Sequence, residues 1–270
     1  MTRFENIGAL IPVRLASERL PGKALKQICN RPVIYHLLDR VCACKHLEPA
    51  NVVICTTNER SDDTLVEAVE AYGAGVFRGA TDDIIDRFHA AMKAFDFDAV
   101  VQVDGDDPLS ATEYMDRTMD HLIAEPNTDI ITVRNLPLGA ATKSFTRTAM
   151  EKVIAAYQTQ QNDTGFIYFF TKTGLCTHAE IDPVGVKHIH ESARLTLDYE
   201  DDLTFLRSIF DVLYEPDTVF GLADVVKFLN SNPALVEINR HVEAEYNQRT
   251  IDKAVLEYRS ESGETRRVLV

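Results

Sequence analysis

Over the first 125 or so residues, short runs rich in Val and Ile alternate with stretches whose apolar positions recur at helical spacing. Ile7–Val13 is an apolar run of strand character, followed by a polar loop from Arg14 to Lys23. Pro32 opens a predicted helix with Val33, Ile34, Leu37, Leu38 and Val41 on its inner side. Asn51–Thr56 reads as a second strand, and Ser61 is placed to cap a helix carrying Leu65, Val66 and Val69. Gly75–Phe77 reads as a short strand, and Thr81 as the cap of a helix from Asp82 to about Ala94. Ala99–Val103 is the next strand, ending at Asp104-Gly105-Asp106-Asp107-Pro108, and a helix at Ala111–Ala124 and a strand at Asp129–Val133 follow.

Strands separated by helices of this length predict βαβ units, and hence a Rossmann-like, mostly parallel α/β sheet with helices on both faces. Ligands of such sheets bind at the carboxyl ends of the strands, where the polar loops after Val13 and Val103 fall. The second half is less regular. Arg147–Gln160, Glu200–Leu213 and Leu222–Asn230 read as helices, and Gly165–Phe170 and Ala193–Leu197 as strands. The expectation is one domain over residues 1–270, with 134–193 as an insertion and 246–270 as a polar C-terminal tail.

Charge narrows the function classes. Lys plus Arg number 28 against 42 Asp plus Glu, a net −14. That excludes a nucleic-acid binder, whose affinity rests on cations against phosphates, but leaves room for one nucleotide in a local basic pocket. No apolar stretch approaches the ~20 residues needed to cross a bilayer, and the first apolar run is too short for a signal peptide. No membrane partner is expected. The five cysteines are odd in number and sit mostly in apolar patterns, consistent with a reducing cytoplasm, and Cys42-Ala-Cys44 has no zinc spacing.

Against that acidic background, Arg14-Leu15-Ala16-Ser17-Glu18-Arg19-Leu20-Pro21-Gly22-Lys23 places three cations, a hydroxyl and a glycine in one loop after a strand. Guanidinium forks and a lysine point charge suit a polyphosphate, although the spacing is neither a P-loop nor GxGxxG. A solvated surface loop with a Pro-Gly turn is the plainer reading of the same residues. The segment resembles the N-terminal signature of the cytidylyltransferases that activate sugars, including the 3-deoxy-manno-octulosonate and acylneuraminate enzymes. The likeness extends to the group of the spore coat polysaccharide biosynthesis protein F. Arg14, Ser17, Arg19, Leu20, Pro21, Gly22 and Lys23 match that signature. The resemblance implies that Arg14 and Lys23 hold the triphosphate of CTP, with Ser17, Arg19 and Gly22 shaping the same loop. It covers roughly residues 5–240 and is strongest in the first 110.

Acids cluster at two strand ends. Carboxylates at Asp104, Asp106 and Asp107 suit Mg²⁺, which takes few protein ligands and fills its sphere with water and phosphate; an Asp-rich turn accounts for them equally. The resemblance assigns Mg²⁺ to Asp106, in Gly105-Asp106-Asp107-Pro108-Leu109, and to Asp198, with Tyr199 and Glu200 departing from the family's usual Thr-Pro. Gly79–Phe88 resembles a further family segment and makes Arg87 a nucleotide contact; an amphipathic helix with a surface ion pair is the alternative. His188 and His190 share one face if extended, and acceptor contact is their candidate role.

The implied reaction is attack of an acceptor oxygen on the α-phosphate of CTP with release of pyrophosphate, Arg14, Lys23 and Asp106 carrying the catalysis. The acceptor is a sugar acid, an amino sugar derivative or a phosphonate, bound in the 134–193 insertion, and the family implies a homodimer. The alternatives are a GTP- or UTP-dependent transferase acting on a sugar 1-phosphate, a phosphonate cytidylyltransferase, a glycosyltransferase of similar fold, which Asp104-Gly105-Asp106 would suit, and a non-catalytic nucleotide binder.

Overall fold

The computed structural model describes residues 3–253, 256–260 and 262–268. The chain runs β1 (Ile7–Pro12), a hairpin of β2 (Gln27–Ile28) and β3 (Arg31–Pro32), α1 (Val33–Cys42), β4 (Val52–Thr57), α2 (Asp63–Tyr72), β5 (Gly75–Gly79), α3 (Ile84–Ala94), β6 (Ala99–Gln102) and α4 (Thr112–Ala124). There follow β7 (Ile130–Val133), β8 (Lys143–Thr146), α5 (Arg147–Ala156), α6 (Tyr168–Thr171), β9 (His178–Ile181), α7 (Glu200–Leu213), α8 (Leu222–Ser231), α9 (Glu243–Lys253), and a last hairpin, β10 (Glu257–Arg259) and β11 (Thr265–Arg267).

Seven strands form one sheet in the order β5-β4-β1-β6-β8-β7-β9. β5, β4, β1 and β6 are parallel; β8 is antiparallel to both its neighbours; β7 and β9 are parallel. The Val and Ile runs are buried on both faces, which is why they read as continuous apolar stretches rather than alternating ones. One face packs Leu37, Leu38, Val41, Leu65, Met115 and Met119 from α1, α2 and α4. The other packs Phe88, Met92, Met150, Val153, Phe169 and Phe170 from α3, α5 and α6. A third cluster joins α7 and α8 through Leu206, Ile209, Phe210, Val225 and Leu229.

The strand order locates the crevice. From β1 the chain crosses to β4 on one side, whereas β6 lies on the other, so the loops leaving β1 and β6 diverge at their carboxyl ends. Gly105 closes that junction: a Cβ there would collide with the Pro12 carbonyl oxygen and the Val13 side chain. A backbone without a side chain is needed for the two loops to touch.

The regular first half follows the apolar pattern closely, with two caps displaced. Asp62, not Ser61, precedes α2, and Asp83, not Thr81, caps α3 by accepting from Asp86 N. The second half departs further. Gly165–Phe170, expected as a strand, is a turn at Gly165 (φ +80°) leading into α6. Phe166, Phe169 and Phe170 are buried together at i, i+3 and i+4, a helical period hidden in an aromatic run. Ala193–Leu197 is extended but joins no sheet strand; Leu195 N donates to Leu138 O and Leu197 N to Asp106 O. Within 134–193, β8 and β9 belong to the main sheet. The described part of 246–270 folds as most of α9 and the β10–β11 hairpin, because Leu256, Tyr258 and Val268 are buried against Phe88, Phe166 and their neighbours. All five cysteines are free thiols, and no described helix is long and apolar enough to cross a membrane.

Candidate active site

The loop after β1 is held in shape by its own backbone and one buried acid. Asp62 is fully buried and accepts from Leu15 N at 2.8 Å and Thr56 Oγ1 at 2.9 Å. Gly22 N returns to Leu15 O at 3.0 Å, and Leu20 N donates to Ser17 Oγ at 3.3 Å. Gly22 sits at φ +67°, a left-handed turn open to glycine, and the following Lys23–Leu25 turn sends Lys23 back over the strand ends.

Lys23 meets both acids there. Its Nζ lies 2.7 Å from Asp106 Oδ2 and 3.0 Å from Asp198 Oδ1. Asp106 arrives from the β6 loop and Asp198 from the extended segment before α7; the Leu197 N to Asp106 O hydrogen bond of 2.8 Å ties the two. Arg19 also pairs with Asp198 Oδ1. Behind them, Arg194 donates to Asp198 Oδ2 at 2.9 Å and to Asp202 at 3.0 and 3.3 Å. Asp202 in turn accepts from the backbone N–H groups of Asp198 and Tyr199, at 2.8 and 3.0 Å, and from Asn239 at 2.9 Å. This anchors the strand-end acid to the first turn of α7.

Electrostatics follow from that packing. Burial opposes the charge of Lys23, but Asp106 and Asp198 outweigh it and raise its pKa. Burial likewise disfavours the Asp198 carboxylate, yet Lys23 and Arg19 hold its pKa below the ordinary value. Asp106 goes the other way: burial raises it, Lys23 lowers it, and the like charges of Asp198 and Asp104 tip the balance upward. Asp104 is depressed despite burial, because Lys143 lies 2.7 Å away and Gln102 donates at 2.8 Å.

These residues line a cavity of about 390 Å³. Arg14 lines it too, bridging Asp82 at 3.0 Å and Asp163 at 2.6 Å. Asp163 is positioned by its buried neighbour Asn162, whose Oδ1 accepts from Ile84 N at 2.8 Å and Ile85 N at 3.2 Å at the start of α3. Arg87, on α3, is 2 % exposed; it donates to Ala80 O at 3.1 Å, and its Nε has no partner. Burial lowers its pKa, and among the described residues no carboxylate pairs with it. A buried guanidinium that faces a cavity and pairs with no described carboxylate has the chemistry to take an anion.

Of the sequence-derived candidates, Arg14, Ser17, Arg19, Lys23, Arg87, Asp106 and Asp198 all line this cavity. Gly22 shapes the turn and does not line it. His188 and His190 are not brought there: His188 is buried, with Nδ1 2.7 Å from the Tyr114 hydroxyl, and His190 Nδ1 is buried without a partner. His188 ends a 3-10 turn, so the extended geometry that would align the pair is absent. Sequence reasoning missed Lys143, Asp163, Arg194, Asp202, Tyr246 and Arg249. Lys143 lies on the unexpected β8, and Tyr246 and Arg249 in the segment read as a tail. The four-residue spacing of Arg194, Asp198 and Asp202 was a signal, but only the turn from extended chain into α7 makes it one network.

The donor set suits a hard divalent ion. Two carboxylates from separate segments converge on one ammonium, and Mg²⁺ uses one or two carboxylates plus waters and substrate phosphates. Among the described residues no group of three or more His, Cys, Asp or Glu could hold a metal, so phosphate oxygens would have to complete the sphere.

Residues 8–228 match the model of a family described as cytidylyltransferase. The chain is 25% identical to the spore coat polysaccharide biosynthesis protein SpsF of Bacillus subtilis, over 83% of this chain and 94% of that one. It is 35% identical to the 3-deoxy-manno-octulosonate cytidylyltransferase of Pelobacter propionicus, over 48% of this chain and 49% of that one. The solved structure of a cytidylyltransferase from Leptospira borgpetersenii superposes with a TM-score of 0.77 at 26% identity, covering 86% of this chain and 96% of that one.

Proposed function

The chain belongs to the cytidylyltransferase family, and from that premise we propose that its cavity joins CMP from CTP to an oxygen of a sugar acid or related acceptor, releasing pyrophosphate. The observation that carries this reading is the Lys23 ammonium shared by Asp106 and Asp198, beside the basic loop at the β1/β6 junction. The names of the relatives, one for 3-deoxy-manno-octulosonate and one for a spore coat polysaccharide, favour an acceptor from sugar chemistry.

Each cation of the loop is held by acids: Arg14 by Asp82 and Asp163, Arg19 by Asp198, Lys23 by Asp106 and Asp198. A triphosphate offers these cations charge-assisted partners, so Arg14, Arg19 and Lys23 turn toward phosphate and leave Asp106 Oδ2 and Asp198 Oδ1 facing the cavity, while Arg194 keeps Asp198 Oδ2. Those two would hold Mg²⁺, which supplies charge neutralisation at the reacting phosphate. Arg87, which pairs with no carboxylate among the described residues, binds phosphate or base from the α3 side. Positioning and charge neutralisation suffice; no covalent protein intermediate is required. The Arg14–Lys23 loop, which suits a triphosphate, favours nucleotidyl transfer over a glycosyltransferase. A reducing cytoplasm is the proposed setting, matching five free thiols of which burial pushes Cys44, Cys55 and Cys176 up to about 12.

The test is pyrophosphate release with each nucleoside triphosphate against sugar acids, amino sugar derivatives and phosphonates. CTP-specific release that falls by about 100-fold or more in Asp106→Asn and Lys23→Ala is expected. Equal release with all triphosphates, or unchanged rates in both variants, refutes the proposal.

A further inference from the structure

Helix α9 reaches the cavity from beyond the family-matched segment, which ends at residue 228. Tyr246, Arg249 and Thr250, at i, i+3 and i+4 on one side of it, all line the cavity. The helix is fastened at two points. Arg249 pairs with Glu18, inside the basic loop between Ser17 and Arg19. The guanidinium of Arg194, which holds Asp198, lies 4.4 Å from the Tyr246 ring, and the Tyr199 hydroxyl donates to Glu245 at 3.1 Å. α9 thus touches both the basic loop and the segment that carries Asp198.

We propose that Arg249 is an additional triphosphate-binding residue, exchanging Glu18 for phosphate oxygens when a nucleoside triphosphate fills the loop. The inference rests on the reading that this loop takes a triphosphate. The Arg249–Glu18 pair is suited to exchange: the Glu18 side chain is 72% exposed, and exposed ion pairs gain little. Phosphates placed beside Ser17 and Arg19 repel the Glu18 carboxylate and attract the guanidinium, which presents a planar fork to their oxygens.

Calorimetric titration of the full chain with CTP and with CMP tests this. Arg249→Ala should weaken CTP about 5- to 20-fold while CMP, lacking the outer phosphates, changes less than about twofold. Glu18→Gln removes the competing carboxylate and should tighten CTP about two- to fivefold. If the pair were only a structural tether, both substitutions would weaken CTP; that result overturns the proposal, as does Arg249→Ala binding CTP like the unaltered chain. Should Arg249→Ala fail to fold, the sign of the Glu18→Gln effect decides alone. Lys23→Ala separates the two levels of inference. If Lys23→Ala weakens CTP and Arg249→Ala does not, only the role of Arg249 falls; if the unaltered chain binds no nucleoside triphosphate, the functional reading falls with it.

Discussion

Replacing Asp202 by Asn exchanges one carboxylate oxygen for an NH₂ group at the centre of the buried network behind the cavity. Asp202 is 0% exposed. One of its oxygens accepts from Arg194 Nε and Asn239 Nδ2, the other from Arg194 Nη2 and the backbone N–H groups of Asp198 and Tyr199. Whichever way an Asn turned, its NH₂ would face at least two donors, and among the described residues Arg194 would keep only Asp198 as a carboxylate partner. Removing one partner of a buried ion pair costs ~3–5 kcal/mol. Unfolding entropy of ~2.1 cal/mol/K per residue over 270 residues gives ~0.57 kcal/mol/K, so the melting temperature should fall by ~5–9 °C. Asp201→Asn is the control. It shares the first turn of α7 and its helix-dipole contribution, but its partner His241, 3.1 Å away, is largely exposed. A change of ~2 °C or less is expected for it. Differential scanning calorimetry reads both. If Asp202→Asn melts within ~1 °C of Asp201→Asn, the network does not hold the loop, and the argument that Asp198 is positioned by Asp202 through Arg194 is wrong.

Other consequences follow from the same geometry. Gly105→Ala forces a Cβ into the Pro12 carbonyl and Val13; chemical denaturation should show a loss of ~1–3 kcal/mol, with turnover falling because the two loops separate. Leu256→Ala should cost ~2–5 kcal/mol, since Leu256 is fully buried in the core cluster of Phe88 and Phe166; a loss under ~0.5 kcal/mol would return this segment to the status of a tail. Burial lowers the pKa of His36 despite its hydrogen bond to Ile28 O, and lowers that of His188 despite Glu113. The unfolded chain therefore binds more protons than the folded one just below pH 6.5, so stability should be full above that value and fall as pH drops through it. His36→Gln and His188→Gln should each flatten the fall between pH 7 and pH 5 in urea titrations, and an unchanged slope in both would contradict the burial argument.

How much of this was legible before folding differs between the halves. Buried parallel strands need continuous Val and Ile on both faces, and amphipathic helices need a helical period, so β1, β4, β6 and α1 to α4 can be recognised from local pattern. β8 cannot: Lys143–Thr146 has four residues of mixed polarity, and its place between β6 and β7 comes from pairing with strands far along the chain. β9 and the β10–β11 hairpin fail for the same reason.

The site divides along a similar line. Seven spaced residues in Arg14–Lys23 and the acids at two strand ends pointed, by type and local order, to anion and cation chemistry at the carboxyl edge of the sheet. Which of them meet was decided by tertiary structure. Lys23 lies between Asp106 and Asp198 because Gly105 lets two loops touch and a single backbone hydrogen bond joins Leu197 to Asp106. His188 and His190 were drawn elsewhere by a turn and by Tyr114, and Lys143 and Arg249 entered from segments not read as elements of the site. Side-chain type and short-range spacing set the chemistry a segment can offer, but the partner of each charge is set by packing between segments distant in the chain, which no local pattern encodes.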